Sequence, residues 1–291
     1  MKLNLEVITS PPRDAATVVM LRDAPAGLEV FLLKRHGNSD ILGGAYVFPG
    51  GKVDTADAEL DLDAYLDQPP QALRAALAEP DIDVTAAASL YVAAVRETFE
   101  ESGVLFVQGA TAGHAAQASV LLRGGLAFAE VLARLSLRLD TRSVLPWSRW
   151  ITPTLASVSK KRFDTRFFVA AVPLGQTAHH DEHEATESVW LTPHAALTQY
   201  WNGEIQLAPP QIMSLVHLTH HVSVKRVLDA ARLRQPPVIQ PEPFEQEDTR
   251  VVCYPGDERH SVFERALPGP TRLYYRNKRF EPNGGFQALL A

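Results

Sequence analysis

Cysteine is almost missing from this 291-residue chain, where Cys253 stands alone. An intramolecular disulfide and a zinc site built on several cysteines are therefore excluded. No apolar run approaches the roughly 20 residues that a membrane helix needs. The opening stretch MKLNLEVITSPPRD lacks the long apolar core of a secretory leader, and the closing QALLA is not the Ser-Lys-Leu peroxisomal address. A cytoplasmic setting with no membrane partner is the expectation. Basic residues are also outnumbered, 28 Lys and Arg against 34 Asp and Glu, for a net charge of −6. That balance speaks against a nucleic-acid partner, whose footprint is a basic patch. A phosphate-bearing small molecule stays compatible, because a bound cation inverts the local field. There is no internal repeat. PGGKV lacks the spacing of a phosphate-binding G-x-x-x-x-G-K-[ST] loop, and no Gly-x-Gly-x-x-Gly follows a strand.

What is present reads as a mixed α/β or α+β protein. ATVVMLRD and LEVFLLKR, separated by APAG, form the two arms of a β-hairpin. GGAYVFPGGKVD follows as a strand broken by a Pro-Gly-Gly turn. Residues 55–84 change character: they are acidic, alanine-rich and split by Pro69-Pro70, which predicts two short helices, the second starting near Pro70. The strongest helix runs from a Thr85 cap to Gly103. Two more helices are expected within 114–135. LPWSRWIT, KRFDTRFFVAAV and SVWL read as strands, and three helices follow from Pro193. From Gln235 the chain turns proline-rich. The expected division is one domain over 1–234 with a C-terminal extension over 235–291, packed on or near it.

The stretch YVAAVRETFEESGV carries the chemistry. Glu97, Glu100 and Glu101 stand at i, i+3 and i+4, so they share one helical face. Like charges at that spacing repel, and the C-terminal end of a helix disfavours anions. Two local rules broken together mark a functional site. A divalent cation removes both penalties, and hard oxygen donors suit Mg²⁺ or Mn²⁺ on a phosphate.

RETFEESGV resembles the second half of the Nudix box, G-x5-E-x7-R-E-U-x-E-E-x-G-U with U a bulky aliphatic residue. Arg96, Glu97, Glu100, Glu101, Gly103 and Val104 match, with Thr98 a mild departure. The first half is displaced. FPGGKVD puts Gly51 45 positions before Arg96, where the box allows 14. The acidic segment over 55–84 therefore reads as a helical insertion inside the box. The box's own first glutamate falls on Ala88, leaving Asp54 or Asp57 as substitutes from the insert. An interrupted box, together with WSRWITP, WLTPHAAL and LAPPQ in order, resembles the Nudix branch typified by a peroxisomal coenzyme A diphosphatase.

The resemblance implies a Nudix α/β/α sandwich with a mixed sheet, the insertion and extra C-terminal helices. It implies metal-dependent hydrolysis of a diphosphate, with coenzyme A or acyl-CoA leading. ADP-ribose or another nucleoside diphosphate derivative is the alternative, and a catalytically weak ligand-binding module is the alternative of another class. The metal ligands carried over are Glu97, Glu100, Glu101 and the Gly51 carbonyl, with Arg96 orienting the carboxylates. The general base is either Glu97 or an acid of the loop HHDEHEATES, where Glu184 is preferred to Glu182 and Glu187. Arg35, Lys52, Arg162 and Arg166 are the expected phosphate contacts. Strand alternation puts Arg162, Asp164 and Arg166 on one face of RFDTRFF and Phe163, Thr165 and Phe167 on the other. The insert suits either a lid or a homodimer contact. His217, His220 and His221 share a helical face but read as surface histidines, and HEATE is not a zinc-binding H-E-x-x-H.

Overall fold

The computed structural model describes residues 6–37, 39, 42–155, 161–181 and 185–291. Strand β1 (Arg13–Ala24) turns through Gly27, at φ +113°, into β2 (Gly27–Arg35). The two pair only at the hairpin end, from Leu21↔Val30 to Ala24↔Gly27. Beyond it they part, and a wedge of chain fills the fork. Its arms are β3 (Tyr46–Val47), which pairs with β2, and β4 (Gly50–Lys52), which pairs with β1.

Three short helices follow, α1 (Thr55–Ala58), α2 (Leu62–Tyr65) and α3 (Pro70–Leu77). Then comes α4 (Val84–Ser102). Its cap is Asp83 rather than Thr85: the Asp83 carboxylate accepts from Ala86 N at 2.9 Å, which starts the helix earlier. Gly103 closes it in the left-handed conformation, φ +70°, and donates its N–H to Phe99 O. Helices α5 (Ala112–Arg123) and α6 (Phe128–Leu135) lead to β5 (Leu145–Ile151), β6 (Phe163–Ala171) and β7 (Ala185–Leu191). Helices α7 (Pro193–Asn202), α8 (Pro209–Thr219) and α9 (Val224–Leu233) come next.

The proline-rich stretch is more regular than its composition suggests. It forms β8 (Val238–Ile239), β9 (Glu242–Gln246), β10 (Thr249–Cys253), β11 (Arg272–Arg276), β12 (Arg279–Glu281) and α10 (Gly285–Leu290). β8 extends the main sheet, whose path is β3-β2-β1-β6-β5-β8, while β9–β12 form an antiparallel sheet of their own. Residue parity assigns the two faces of the main sheet. Val18, Met20, Phe31 and Phe168 pack under α4, where Tyr91 meets Phe168 at 4.8 Å between ring centroids. Val19, Leu21, Val30 and Val169 face the opposite way, onto Ile212, Met213 and Val216 of α8 and onto Tyr254 and Leu273 of the C-terminal stretch. The result is a sheet between two helical layers, as expected of an α/β/α sandwich. No helix among the described residues is long and apolar enough to cross a membrane.

The insert is locked to the sheet by charge. Glu79, just past α3, accepts from Arg166 Nε at 2.9 Å and Nη2 at 2.6 Å, and pairs with Arg149 at 2.9 Å. Asp164 adds a second carboxylate to both arginines, and Asp14 a third to Arg166. Arg166 is only 5% exposed. Removing one partner of a buried pair leaves a desolvated charge behind, a larger loss than the pair itself contributes. Glu79→Ala is expected to cost about 2–3 kcal/mol in a urea titration, moderated by the remaining aspartates.

His217 also departs from the sequence reading. Its ring lies against Trp147 at 4.5 Å between centroids, and its Nδ1 is buried with no hydrogen-bond partner among the described residues. Burial, helped by the nearby Arg234 charge, lowers its pKa to about 3. The unfolded chain therefore takes up a proton near pH 6.5 that the folded chain refuses until about pH 3. Stability from this group is full above pH 6.5 and falls as the pH drops toward 3; His217→Phe is expected to flatten that part of the pH–stability curve, measured by denaturant titration at several pH values.

Candidate active site

The acidic end of α4 is organised by Arg96, which is 8% exposed. Its Nε and Nη2 donate to the two oxygens of Asp57 at 2.8 and 2.9 Å, a bidentate pair. Its Nη1 donates to Glu97 at 2.9 Å and to Glu100 at 3.0 Å, and Nη2 reaches the Lys52 carbonyl at 3.2 Å. Burial acts to lower the Arg96 pKa, but the bonded Asp57 and the charges of Glu97 and Glu100 outweigh it and raise the net value. Asp57 belongs to α1 of the insert, is 1% exposed, and also accepts from Asp54 N at 2.8 Å. Ala88, where the box has its first glutamate, is fully buried in the same apolar cluster as Leu73 and Leu77 of α3. An ionised side chain there would have no solvent and no partner.

The displaced glycines come back beside the glutamates. Gly50 N donates to Glu101 Oε2 at 2.8 Å. A Cβ on Gly50, at φ +151°, would sit 2.3 Å from Ala16 O. A Cβ on Gly51 would sit 2.5 Å from the Glu97 carboxylate. Gly50 needs glycine for its φ and its approach to the β1 backbone, while a side chain at Gly51 would push the Glu97 carboxylate aside. Glu97, Glu101, Gly51, Lys52 and Arg35 line one pocket at the fork. Arg35 Nη1 lies 3.9 Å from Glu101 Oε1, and Arg35 Nε is buried with no hydrogen-bond partner among the described residues. Lys52 also pairs with Asp54 at the rim.

Glu100 points away from that pocket. Its neighbours Phe99 and Gly103 share a second cleft with His179, His180 and Asp181. Burial raises the Glu100 pKa, with Arg96 pulling the other way. The loop that carries the expected base comes close: His179 N donates to Ser102 O at 3.0 Å and Asp181 N to Glu101 O at 3.1 Å. Glu184 and Glu182 lie outside the described residues. Glu187 is occupied elsewhere. A hydrogen bond from Tyr46, then Lys34 at 3.3 Å, lowers its pKa, which is the wrong direction for a base working near neutrality.

Two expected phosphate contacts are not at the pocket. Arg166 is held by Glu79, Asp14 and Asp164, and Arg162 donates to the carbonyls of Thr152 and Ser10. The alternation along β6 is as expected, but the pocket meets its other face, through Phe163 and Thr165. Lys161 shares that face and lines the pocket, as does Arg13 at the start of β1. The signal for Lys161 was the same period-2 alternation, read with the polar face assigned to the ligand.

Among the described residues, no three His, Cys, Asp or Glu side chains converge as a ready-made metal cage. Arg96 accounts for this by drawing Glu97 and Glu100 onto its own guanidinium. The donor set still fits a hard cation: two carboxylates and a glycine carbonyl at one pocket offer only oxygen ligands.

Residues 12–218 match the family model described as the NUDT19 Nudix domain. The acyl-coenzyme A diphosphatase NUDT19 of Xenopus laevis is 27% identical over 273 residues, covering 79% of this chain and 70% of that protein. The human protein of the same name is 30% identical over 240 residues, covering 70% of this chain and 64% of that protein. A crystal structure of a NUDIX hydrolase from Alicyclobacillus acidocaldarius superposes with a TM-score of 0.61 at 28% identity, covering 76% of this chain and 97% of that one. With a family match over most of its length and a Gly50–Gly51 turn closed onto Glu97 and Glu101, the chain belongs to the NUDT19 Nudix domain family and is a Nudix hydrolase.

Proposed function

We propose that the chain hydrolyses the diphosphate of coenzyme A or its acyl thioesters to 3′,5′-ADP and 4′-phosphopantetheine or its acyl form. The observation that carries this reading is Arg35. Its buried, unpartnered Nε stands in a pocket that also holds Arg13, Lys52 and Lys161 beside two carboxylates. A buried donor without an acceptor costs about 1–3 kcal/mol, and an anionic phosphoryl oxygen supplies the missing acceptor. The substrate class rests on the similarity to proteins named acyl-coenzyme A diphosphatase.

Glu97, Glu101 and the Gly51 carbonyl would hold Mg²⁺ or Mn²⁺, and Glu100 would need to turn from the second cleft to join them. The metal supplies charge neutralisation at the phosphoryl oxygens and a more acidic water. The protein's own residues do the rest. Arg35, Lys52, Arg13 and Lys161 orient the diphosphate and offset its charge. Arg96 fixes the rotamers of Glu97 and Glu100, so it acts as a positioning residue. Glu184, three positions after Asp181 in the sequence, is the proposed base that takes the proton from the attacking water. The water oxygen bonds to one phosphorus, and the bond from that phosphorus to the bridging oxygen breaks.

Mass spectrometry of products from a panel of diphosphates, with Mg²⁺ present, checks the substrate. Coenzyme A is expected to give 3′,5′-ADP. A kcat/KM for ADP-ribose about 100-fold above that for coenzyme A overturns the assignment. Glu97→Gln, Glu101→Gln and Gly51→Ala are each expected to lower kcat by about 100-fold or more with an unchanged circular dichroism spectrum. Unchanged rates would remove the acidic pocket from the mechanism.

A further inference from the structure

A second cavity opens directly off the phosphate pocket. The two share Thr17, Leu42, Phe163, Thr165 and Gln211 as lining. Their surroundings differ sharply. The second cavity runs between Trp150 of β5, Pro210 of α8 and Pro243 of β9, and among the described residues no Asp, Glu, Lys, Arg or His lines it. Five of its described lining residues are prolines, Pro153, Pro209 and Pro241 besides the two just named. Proline has no N–H, so this wall is rigid and offers few donors. One polar group stands at the junction. Gln211 is 7% exposed, and its carboxamide oxygen has no hydrogen-bond partner among the described residues.

We infer that this apolar chamber is the subsite for the uncharged arm of the substrate, the branched, amide-bearing pantetheine chain and its acyl group. The inference rests on the coenzyme A reading above. The two arms of that substrate differ in the property the chamber discriminates. On one side of the diphosphate lies a ribose carrying a further phosphate. Moving that dianion into a cavity with no cation among its described lining residues is strongly unfavourable. On the other side lies a geminal dimethyl group followed by secondary amides. Its methyls gain by leaving water, and an amide N–H can satisfy the Gln211 oxygen. The phosphorylated ribose is left to the cationic side of the fork, where Arg13, Lys52 and Lys161 stand. The same geometry makes the C-terminal stretch a specificity element, because Pro241, Pro243 and Val252 form one wall of the chamber.

Titration calorimetry of the full chain with each of the two products, in Mg²⁺, tests this. Ile151 and Pro243 line the chamber alone and are half-buried, so Ile151→Glu and Pro243→Glu place a charge in it without entering the phosphate pocket. The Kd for 4′-phosphopantetheine is expected to rise at least about tenfold in both variants, and in Gln211→Leu by about threefold or more. The Kd for 3′,5′-ADP is expected to move less than about twofold. Weakened 3′,5′-ADP binding with unchanged 4′-phosphopantetheine binding overturns the proposal and puts the nucleoside arm in the chamber. Equal shifts for both products, or no binding of 4′-phosphopantetheine by the parent chain, overturn it as well. Pro243→Glu lies on an edge strand and serves if Ile151→Glu does not fold. The two readings separate cleanly. Cleavage of coenzyme A with unshifted affinities sinks the chamber alone. The expected shifts without any cleavage sink the hydrolysis reading alone.

Discussion

A buried guanidinium, Arg96, joins parts of the chain far apart in sequence: Asp57 of the insert, the Lys52 carbonyl of the wedge, and Glu97 and Glu100 of its own helix. A desolvated arginine is stable only when its donors are met, and its planar fork suits several acceptors at once. That requirement fixes the insert against α4 and aims the acidic residues. It also explains how the box survives interruption. The insert that separates the glycines from the glutamates returns Asp57 to the site of closure, so the added residues carry the clamp that reunites the two halves.

Much of this was legible in the residues, for reasons that can be named. The β1–β2 hairpin follows from short apolar runs around a turn. The meeting of Gly51 with Glu97 and Glu101 follows from motif spacing once the insert is discounted. The cap of α4 was misplaced by two residues because Asp83 and Thr85 are both good capping types, and only backbone geometry decides between them. The role of Arg166 was not legible. Alternation reveals that Arg162 and Arg166 share a face, but not whether that face meets a ligand or a helix. The answer lay with Glu79, 87 positions away. The C-terminal strands were hidden for a different reason. Pro243 inside a strand reads as a break, although an edge strand tolerates it.

The two charge systems of the molecule differ in what they hold. Glu79, Arg149, Arg166 and Asp164 secure the far end of the insert to the sheet. Asp57 and Arg96 secure its near end to α4. Between these anchors, α3 lays Leu73 and Leu77 over the first turns of α4. The buried Ala88 is the residue-level trace of that cover.

The order of these parts along the chain has an evolutionary consequence. Every carboxylate drawn onto Arg96, and the glycine turn opposite, precedes Gly103, while the wall built from Pro241, Pro243 and Val252 belongs to the last fifth of the sequence. Change in that distal segment reshapes this wall without touching the acidic end of α4. The wall and the acidic cluster are thus free to vary independently along the chain.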